Sequence, residues 1–203
     1  MIRKLTLAFL LTLFISSCSE PKVALQKLSS DAVILAFGDS LTYGTGATDE
    51  QAYPSILTKL TAHEVINEGI PGEISKDGAK RLPGLLDEIQ PEILILIHGG
   101  NDILKKIPRS ETAKNLREMI SSAKQRNIAV ILLGVPEPKL FSLSSAEVYQ
   151  TISDEFEIVT DLYTLPEILH DQDLKSDLVH PNAQGYYQMA ENIYSLLERQ
   201  GAI

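Results

Sequence analysis

The chain has 203 residues, 44% of them hydrophobic, a formal net charge of −9 and a single cysteine. This length suits one domain after a leader, the acidic balance argues against a nucleic-acid partner, and one cysteine excludes a disulfide within the chain. No set of histidine, cysteine and carboxylate side chains has the spacing of a metal site, so we expect neither a metal nor another cofactor.

The first predicted element is a signal peptide over residues 1–17. Arg3 and Lys4 give it a positive start, and a nearly unbroken apolar stretch covers residues 5–15. That stretch is too short to cross a bilayer as a retained helix, which needs about 20 apolar residues.

Cys18 follows this stretch, directly after Ser16 and Ser17. An ordinary secretory signal with an incidental cysteine would account for the pattern. We favour a bacterial lipoprotein signal, which the segment resembles, because there a branched apolar residue and two small residues precede a cysteine that is lipidated. A lipidated Cys18 would anchor the protein to a membrane of the bacterial cell envelope, facing the periplasm. Ser19, rather than aspartate, comes next and leaves the outer membrane open as the destination.

The next segment, residues 18–30, is polar with scattered apolar residues and is predicted to be a tether, which leaves residues 31–203 for the folded domain. Short apolar runs typical of buried parallel strands occupy residues 33–37, 64–67, 93–97, 129–133 and 157–160.

Helical spacing of apolar residues fills the gaps between these runs. The predicted helices cover residues 54–60, 74–89, 110–126, 144–156 and 183–197, with Ser110 as an N-cap. Strands that alternate with helices at this spacing indicate an α/β fold, with a parallel sheet covered by helices on both faces.

Polar clusters stand where the first and third predicted strands end and before the last helix. They are Gly38-Asp39-Ser40, Gly99-Gly100-Asn101-Asp102 and the run from Asp177 to Pro181, and a turn with Gly69 and Gly72 follows the second strand. Because parallel strands place their carboxyl ends at one edge of a sheet, these clusters can form a single site.

Acyl transfer requires a nucleophile, a base, an acid that orients the base, and donors for an oxyanion. Ser40 supplies a hydroxyl, and Asp177 and His180 are close enough in sequence to meet within one turn. The amides of Ser40 and Gly72 and the side chain of Asn101 offer three donors.

These blocks resemble the SGNH (GDSL) hydrolase family, in the correct order and over about residues 33–197. The resemblance implies a three-layer, flavodoxin-like α/β/α sandwich with a five-stranded parallel sheet, and a Ser-His-Asp mechanism without metal. The subgroup is similar to bacterial periplasmic thioesterase, lysophospholipase and arylesterase enzymes, through Ala79-x-x-Leu82-Pro83 and Pro91.

The resemblance assigns a role to each block residue. Ser40 is the nucleophile and an oxyanion donor, Gly72 and Asn101 complete the oxyanion hole, His180 is the base, and Asp177 orients it. Gly72 is preferred to Gly69 because it precedes an acidic residue, as in the family pattern.

The expected function is therefore hydrolysis of small-molecule carboxylic esters or thioesters (acyl esters, lysophospholipid or aryl esters) by a serine esterase, with a membrane as partner through Cys18. The apolar segment 139–143 slightly favours an acyl chain. A carbohydrate O-deacetylase with the same site and a non-catalytic binding lipoprotein are the alternatives. A flavin or nucleotide site is poorly supported, because no glycine-rich phosphate loop follows the first strand. The sequence leaves the oligomeric state open.

Three neighbouring side chains have less specific expectations. His98 either lines the pocket or packs at the end of its strand. Asp39 and Asp102 are expected to bond local backbone.

Overall fold

The computed structural model of the chain describes residues 24–138 and 143–203. The predicted signal peptide, Cys18 and residues 139–142 of the apolar segment lie outside the described residues. No helix within the described ranges combines the length and the hydropathy needed to cross a membrane.

Strands and helices alternate along the chain. The strands are β1 (Val33–Gly38), β2 (Glu64–Gly69), β3 (Ile93–Ile97), β4 (Ala129–Leu133), β5 (Pro136–Pro138), β6 (Leu143–Ser145) and β7 (Val159–Asp161). The helices are α1 (Ser40–Tyr43), α2 (Tyr53–Thr61), α3 (Ser75–Ile89), α4 (Gly100–Leu104), α5 (Arg109–Lys124), α6 (Glu147–Phe156), α7 (Thr164–His170) and α8 (Ala183–Arg199).

Five of these strands form one parallel sheet in the order β2-β1-β3-β4-β7. The two central strands, β1 and β3, consist almost entirely of buried aliphatic residues, which is why they appear in the sequence as continuous apolar runs. Helices α3, α5 and α6 pack on one face, and α2 and α8 on the other. The predicted five-stranded α/β/α sandwich is confirmed.

The strand order reverses between β1 and β3. From β1 the chain passes through α2 to β2 on one side, whereas from β3 it passes through α5 to β4 on the other. Such a reversal opens a crevice beyond the carboxyl ends of the two strands. Ser40 follows β1 and Asn101 follows β3, so the fold itself brings these two residues to the crevice.

Some predicted boundaries are wrong for identifiable reasons. The helix predicted over residues 144–156 begins at Glu147, because β6 pairs with β5 and the Ser145 hydroxyl donates to the Leu162 carbonyl at 2.7 Å. Helix α5 begins at Arg109 with Pro108 as its N-cap, so Ser110 is not the cap. The short helices α1, α4 and α7 were not predicted.

Part of the predicted tether over residues 18–30 is attached to the domain. The Leu25 N–H donates to the Gln200 carbonyl at 3.1 Å, and the Leu28 N–H donates to the Ala202 carbonyl at 2.8 Å. Leu28 is buried in the core. Because burial of these leucines favours contact with the domain, residues 25–28 are part of the fold and not free chain.

Candidate active site

Ser40, His180 and Asp177 form a continuous hydrogen-bonded chain at the crevice. The Ser40 Oγ lies 2.9 Å from His180 Nε2, and His180 Nδ1 lies 2.8 Å from Asp177 Oδ2. Since Asp177 can only accept, the imidazole carries its proton on Nδ1 and Nε2 accepts the Ser40 hydroxyl proton. This is the arrangement in which a serine can be deprotonated by a histidine.

Asp177 holds the backbone of its own loop as well as the imidazole. Its second oxygen, Oδ1, accepts the N–H groups of Val179 at 2.8 Å and His180 at 2.9 Å. Burial acts to raise the pKa of Asp177, but the hydrogen bonds from the His180 ring and from these two amides outweigh it and hold the pKa below its usual value. Asp177 is therefore ionised at neutral pH. About half of its side chain is exposed to water, which also favours the ionised form.

The turn that presents Ser40 depends on its two preceding residues. A side chain at Gly38 would place its Cβ only 2.1 Å from the Ile97 carbonyl, so only glycine allows β1 and β3 to approach this closely. Asp39 caps α1 by accepting the Leu41 N–H at 3.0 Å, as expected from the sequence. Burial raises the pKa of Asp39. The Ser40 N–H is left at the start of α1 with no acceptor in the described part of the chain.

Gly72 and Asn101 lie on the other walls of the same cleft as Ser40. Gly72 has a φ of +81°, a conformation that favours glycine. The Asn101 amide nitrogen donates to the Glu73 carbonyl at 3.0 Å and to Asp39 Oδ2 at 3.3 Å, and because both partners are acceptors, the nitrogen must face them. The structure thus brings all five predicted site residues together, and their catalytic roles stay predictions.

The cleft is small and mostly apolar between its polar groups. It has a volume of about 210 Å³, and its apolar walls are Leu41, Pro71, Leu104 and Val179. Such a cleft can hold an acyl carbonyl close to Ser40, with the attached chain on the apolar side.

Comparison with known proteins identifies the family of the chain. The family model of the GDSL-like lipase/acylhydrolase family matches residues 36–188. The chain belongs to this family. The SGNH (GDSL) assignment made from the sequence is confirmed.

Relatives of known name agree with this membership. Over 156 residues the chain is 28% identical to thioesterase 1/protease 1/lysophospholipase L1 of Escherichia coli (strain K12), which covers 73% of this chain and 75% of that protein. Over 186 residues it is 26% identical to the esterase TesA of Pseudomonas aeruginosa, covering 87% and 92%.

Solved structures show the same fold. AlinE4, an SGNH-hydrolase family esterase, superimposes with a TM-score of 0.65 at 26% identity and covers 85% of this chain and 98% of that one. The esterase EstA from Pseudoalteromonas has a TM-score of 0.74 at 23% identity, with 83% and 98% covered, and supports the fold alone. Family and relatives together make this GDSL hydrolase an ester-hydrolysing enzyme.

Behind the cleft of this hydrolase lies a charged cluster that sequence analysis missed. Arg81 binds both oxygens of Glu73 at 3.0 and 2.8 Å, also binds Glu68 at 3.0 Å, and its guanidinium lies 4.3 Å from the centre of the Phe37 ring. His98, fully buried, accepts the Gly99 N–H on Nδ1 and so donates from Nε2 to Glu73 at 3.1 Å. Of the two expectations for His98, the packed histidine is correct.

This cluster holds the turn that contains Gly72 through its next residue, Glu73. The carbonyl of Glu73 accepts the Asn101 amide, and its carboxylate is held by Arg81 and His98. Asn101 and the chain next to Gly72 are thereby joined, so the two predicted oxyanion donors have a common support. Only an acidic residue after Gly72 hinted at the cluster in the sequence, since its partners come from distant elements.

Asp102 has a different role from the one expected. It bonds no local backbone but accepts the Ser75 N–H at 2.8 Å, the Ser75 hydroxyl at 2.5 Å and the Thr112 hydroxyl at 3.1 Å. Asp102 therefore caps the N-terminus of α3 from a distance of 27 residues, because Ile74 at the N-cap has no side chain that could do so.

The carboxylate of Glu73 should make the fold sensitive to acid. Burial acts to raise the pKa of Glu73, but the hydrogen bonds from His98 and Arg81 outweigh it and lower the pKa to about 2. A depressed pKa in the folded state stabilises the fold above the unfolded pKa of about 4.3, and this stabilisation is lost as the pH falls towards 2. The free energy of unfolding of both proteins should fall between pH 5 and pH 2. With solvent screening allowed for, the fall should be about 1–2 kcal/mol smaller for Glu73→Gln than for the wild type.

Urea unfolding of the two proteins at a series of pH values measures this difference. Asp77→Asn is the matched control. Asp77 is an exposed acid close to Glu73 in the sequence, and its ion-pair partner is an exposed lysine. Its profile should run parallel to that of the wild type. Parallel profiles for Glu73→Gln would contradict the assignment of the low pKa to Glu73.

A larger cleft lies at the opposite end of the sheet. Its volume is about 530 Å³, and it is lined by Ala24, Leu25, Gln26 and Leu28 and by the beginnings of β3, β4 and β7. It contains neither a serine nor a histidine among its lining residues, so size alone would point to the wrong site. Within the described ranges, no group of three histidine, cysteine, aspartate or glutamate side chains is arranged to hold a metal ion.

Proposed function

We propose that this hydrolase cleaves acyl esters or thioesters through a Ser-His-Asp acyl-enzyme mechanism at the cleft between β1 and β3. The observation that carries the proposal is the unbroken chain from the Ser40 hydroxyl through His180 to Asp177, with distances of 2.9 and 2.8 Å. Its acid is ionised, its base has a free acceptor for the serine proton, and the cleft opens beside the serine.

Acylation follows from this geometry. His180 Nε2 takes the proton of Ser40 as the serine oxygen attacks the acyl carbonyl and forms a tetrahedral oxyanion. Asp177 keeps Nδ1 protonated and stabilises the imidazolium that results. When the oxyanion collapses, the bond to the leaving oxygen or sulfur breaks, and that atom takes the proton from His180 as the free alcohol or thiol.

Deacylation repeats these steps with water. His180 removes a proton from a water molecule that attacks the ester carbonyl of acylated Ser40, and the second oxyanion collapses with Ser40 as the leaving group. The proton held by His180 returns to the serine oxygen. The products are a carboxylic acid and the regenerated enzyme, so no cofactor is consumed.

The oxyanion would be held by the N–H groups of Ser40 and Gly72 and by the Asn101 amide. Neither backbone group has an acceptor among the described residues. The Asn101 bond to Asp39, at 3.3 Å, is the longer of its two and is the one that a developing oxyanion would weaken, while the bond to Glu73 keeps the amide in place.

Loss of the Asn101 amide should therefore affect the chemical step. Asn101→Ala is expected to lower kcat by about 10²–10³-fold, because a donor aimed at the transition-state charge is removed. KM for a p-nitrophenyl ester should change much less. Steady-state kinetics measure the two constants separately, and circular dichroism checks the fold; a variant that keeps wild-type kcat would show that Asn101 does not contact the oxyanion.

The apolar walls of the cleft favour an acyl chain over an acetylated sugar as the substrate. Leu104 and Val179 line the cleft beside Ser40 and offer no polar atom for a carbohydrate hydroxyl. The relative from Escherichia coli is named as a thioesterase and lysophospholipase, and one from Vibrio mimicus as an arylesterase. A carbohydrate O-deacetylase with the same machinery is the alternative.

A fluorophosphonate probe and a substrate panel test this proposal. Rapid labelling at Ser40 is expected, whereas an unlabelled protein would favour a non-catalytic binding lipoprotein. Across p-nitrophenyl esters of increasing chain length, acyl-CoA thioesters, lysophospholipid and acetylated xylan, kcat/KM should rise beyond the acetyl ester. Activity on acetylated sugars alone would favour the deacetylase.

The proposed location is the bacterial cell envelope, with the protein anchored through lipidated Cys18 and facing the periplasm. The support is the sequence before Cys18, with its positive start and apolar stretch. Mass spectrometry of the mature N-terminus tests this. A free, unmodified Cys18, or an intact segment before it, would refute it.

A further inference from the structure

The point where the chain enters the fold and the cleft lie at opposite ends of this domain. Ser40 and Asn101 follow the carboxyl ends of β1 and β3. The chain enters the fold at the amino ends, where Ala24, Leu25, Gln26 and Leu28 line a cleft together with the residues just before β3, β4 and β7. Hydrogen bonds of Leu25 and Leu28 fix this entry point. A chain that is held at its N-terminus therefore presents its cleft on the far side.

The separation between the two ends follows from the length of β1. Five residue steps from Val33 to Gly38 span about 17 Å at 3.3 Å per residue. Ser40 and the mouth of the cleft lie beyond Gly38, and Ala24 lies before Val33. A domain of this size has a radius of about 20 Å, so the mouth and the point where the chain enters the fold, at opposite ends of the sheet, lie on the order of 25 Å or more apart.

The chain between Cys18 and the fold is short by comparison. Six residue steps lead from Cys18 to Ala24, and they reach at most about 21 Å when fully extended. If the domain lay on its side, the cleft would still stand about 20 Å above the surface, the radius of a domain of this size, with its mouth along the membrane plane.

The mouth carries exposed apolar side chains that this anchor cannot bring to the bilayer. Leu104 and Val179 line the cleft, and Ile70 and Leu178 adjoin the lining residues Pro71 and Val179 in the chain. Leu178 is 86% exposed and Leu104 is 59% exposed. These side chains suit the binding of a single acyl chain, and they lie at the end of the sheet opposite to the point where the chain enters the fold.

We propose that the enzyme, when anchored through Cys18, takes acyl esters from the aqueous side and does not act on lipids of the leaflet that carries it. This rests on the proposed esterase activity and on an anchor at Cys18. The substrate class is thus a soluble or micellar ester with one acyl chain. The short chain before Leu25 acts as the restraint that keeps resident lipids out of reach.

The experiment uses the only cysteine of the sequence. Residues 18–203 are coupled through the Cys18 thiol to a maleimide lipid in vesicles, so that the result does not depend on natural lipidation. One substrate, 4-methylumbelliferyl butyrate, is water-soluble, and the other, 4-methylumbelliferyl palmitate, is dissolved in the same vesicles. The native chain is compared with a variant that carries 20 glycine and serine residues inserted after Ser19.

The insertion should raise hydrolysis of the vesicle-resident ester at least 10-fold and leave kcat/KM for the soluble ester unchanged. Equal rates on the resident ester for the two chains, whether high or low, would overturn the proposal. Absence of activity on both esters would instead refute the proposed function, and a natural Cys18 without lipid would refute only the location.

A second anchor position provides the matched control. Tyr163 is 74% exposed and follows β7 at the same end of the sheet as Ser40. In a Cys18→Ser background, Tyr163→Cys coupled to the same lipid places the cleft end at the membrane. This protein should hydrolyse the resident ester faster than the protein anchored at Cys18, and an equal or lower rate would contradict the orientation that we infer.

Discussion

Replacing Ser40 by alanine is expected to lower kcat on a p-nitrophenyl ester by about 10⁵–10⁶-fold. The Ser40 hydroxyl lies 2.9 Å from His180 Nε2, and without it no acyl-enzyme can form. The small remaining rate would come from water activated by His180 and from the oxyanion donors. Covalent labelling by a fluorophosphonate should disappear with it.

Ser110→Ala is the control for this substitution, since Ser110 is exposed on α5 and belongs to no hydrogen bond at the cleft. It should keep wild-type kinetics. The two variants should also unfold at nearly the wild-type temperature, because each loses only one hydroxyl near the surface. Wild-type turnover by Ser40→Ala would refute the proposed mechanism.

Replacing His180 by alanine is expected to lower kcat by about 10⁴–10⁶-fold, because Ser40 then keeps its proton at neutral pH. The remaining rate should rise about tenfold per pH unit, since hydroxide would take over as the base. Added imidazole should restore part of the activity, because the cleft is open beside Ser40. Stopped assays over a range of pH and imidazole concentration measure both effects.

His170→Ala is the matched control for His180→Ala. His170 is exposed at the end of α7, and its loss should change neither kcat nor the pH profile. If His180→Ala kept wild-type turnover, or if its residual rate did not depend on pH, the base would have to be another group.

The strands of this fold were predictable because their chemistry is local. A parallel strand covered on both faces must be apolar throughout, and the residues of β1, β3 and β4 satisfy this without interruption. The short helices α1, α4 and α7 were missed because four to seven residues are too few to show a helical period. The hairpin of β5 and β6 was missed because its serines looked like a helix start.

The catalytic-site residues could be predicted from their positions next to strands and helices, whereas the ion pairs that hold them in place could not. Ser40, Asn101 and His180 stand directly after strands or before a helix, where the order of the chain determines their place. Glu73 and Arg81 meet only because a loop and the middle of α3 fold against each other, and no spacing in the sequence indicates such a pair. Long-range ion pairs of this kind depend on packing and leave no periodic pattern.

The loop that carries both the acid and the base has a consequence for inactivation. Lys175 and Pro181 form an isolated backbone bridge, and the Ser176 N–H donates to the His180 carbonyl at 3.0 Å, so the loop is closed on itself at the surface. Asp177 is half exposed there, and the central sheet contributes nothing to these bonds. Such a loop can open while the sheet stays intact. Heat or urea should therefore abolish turnover before it melts the core, and cooling should restore turnover as quickly as one surface loop closes.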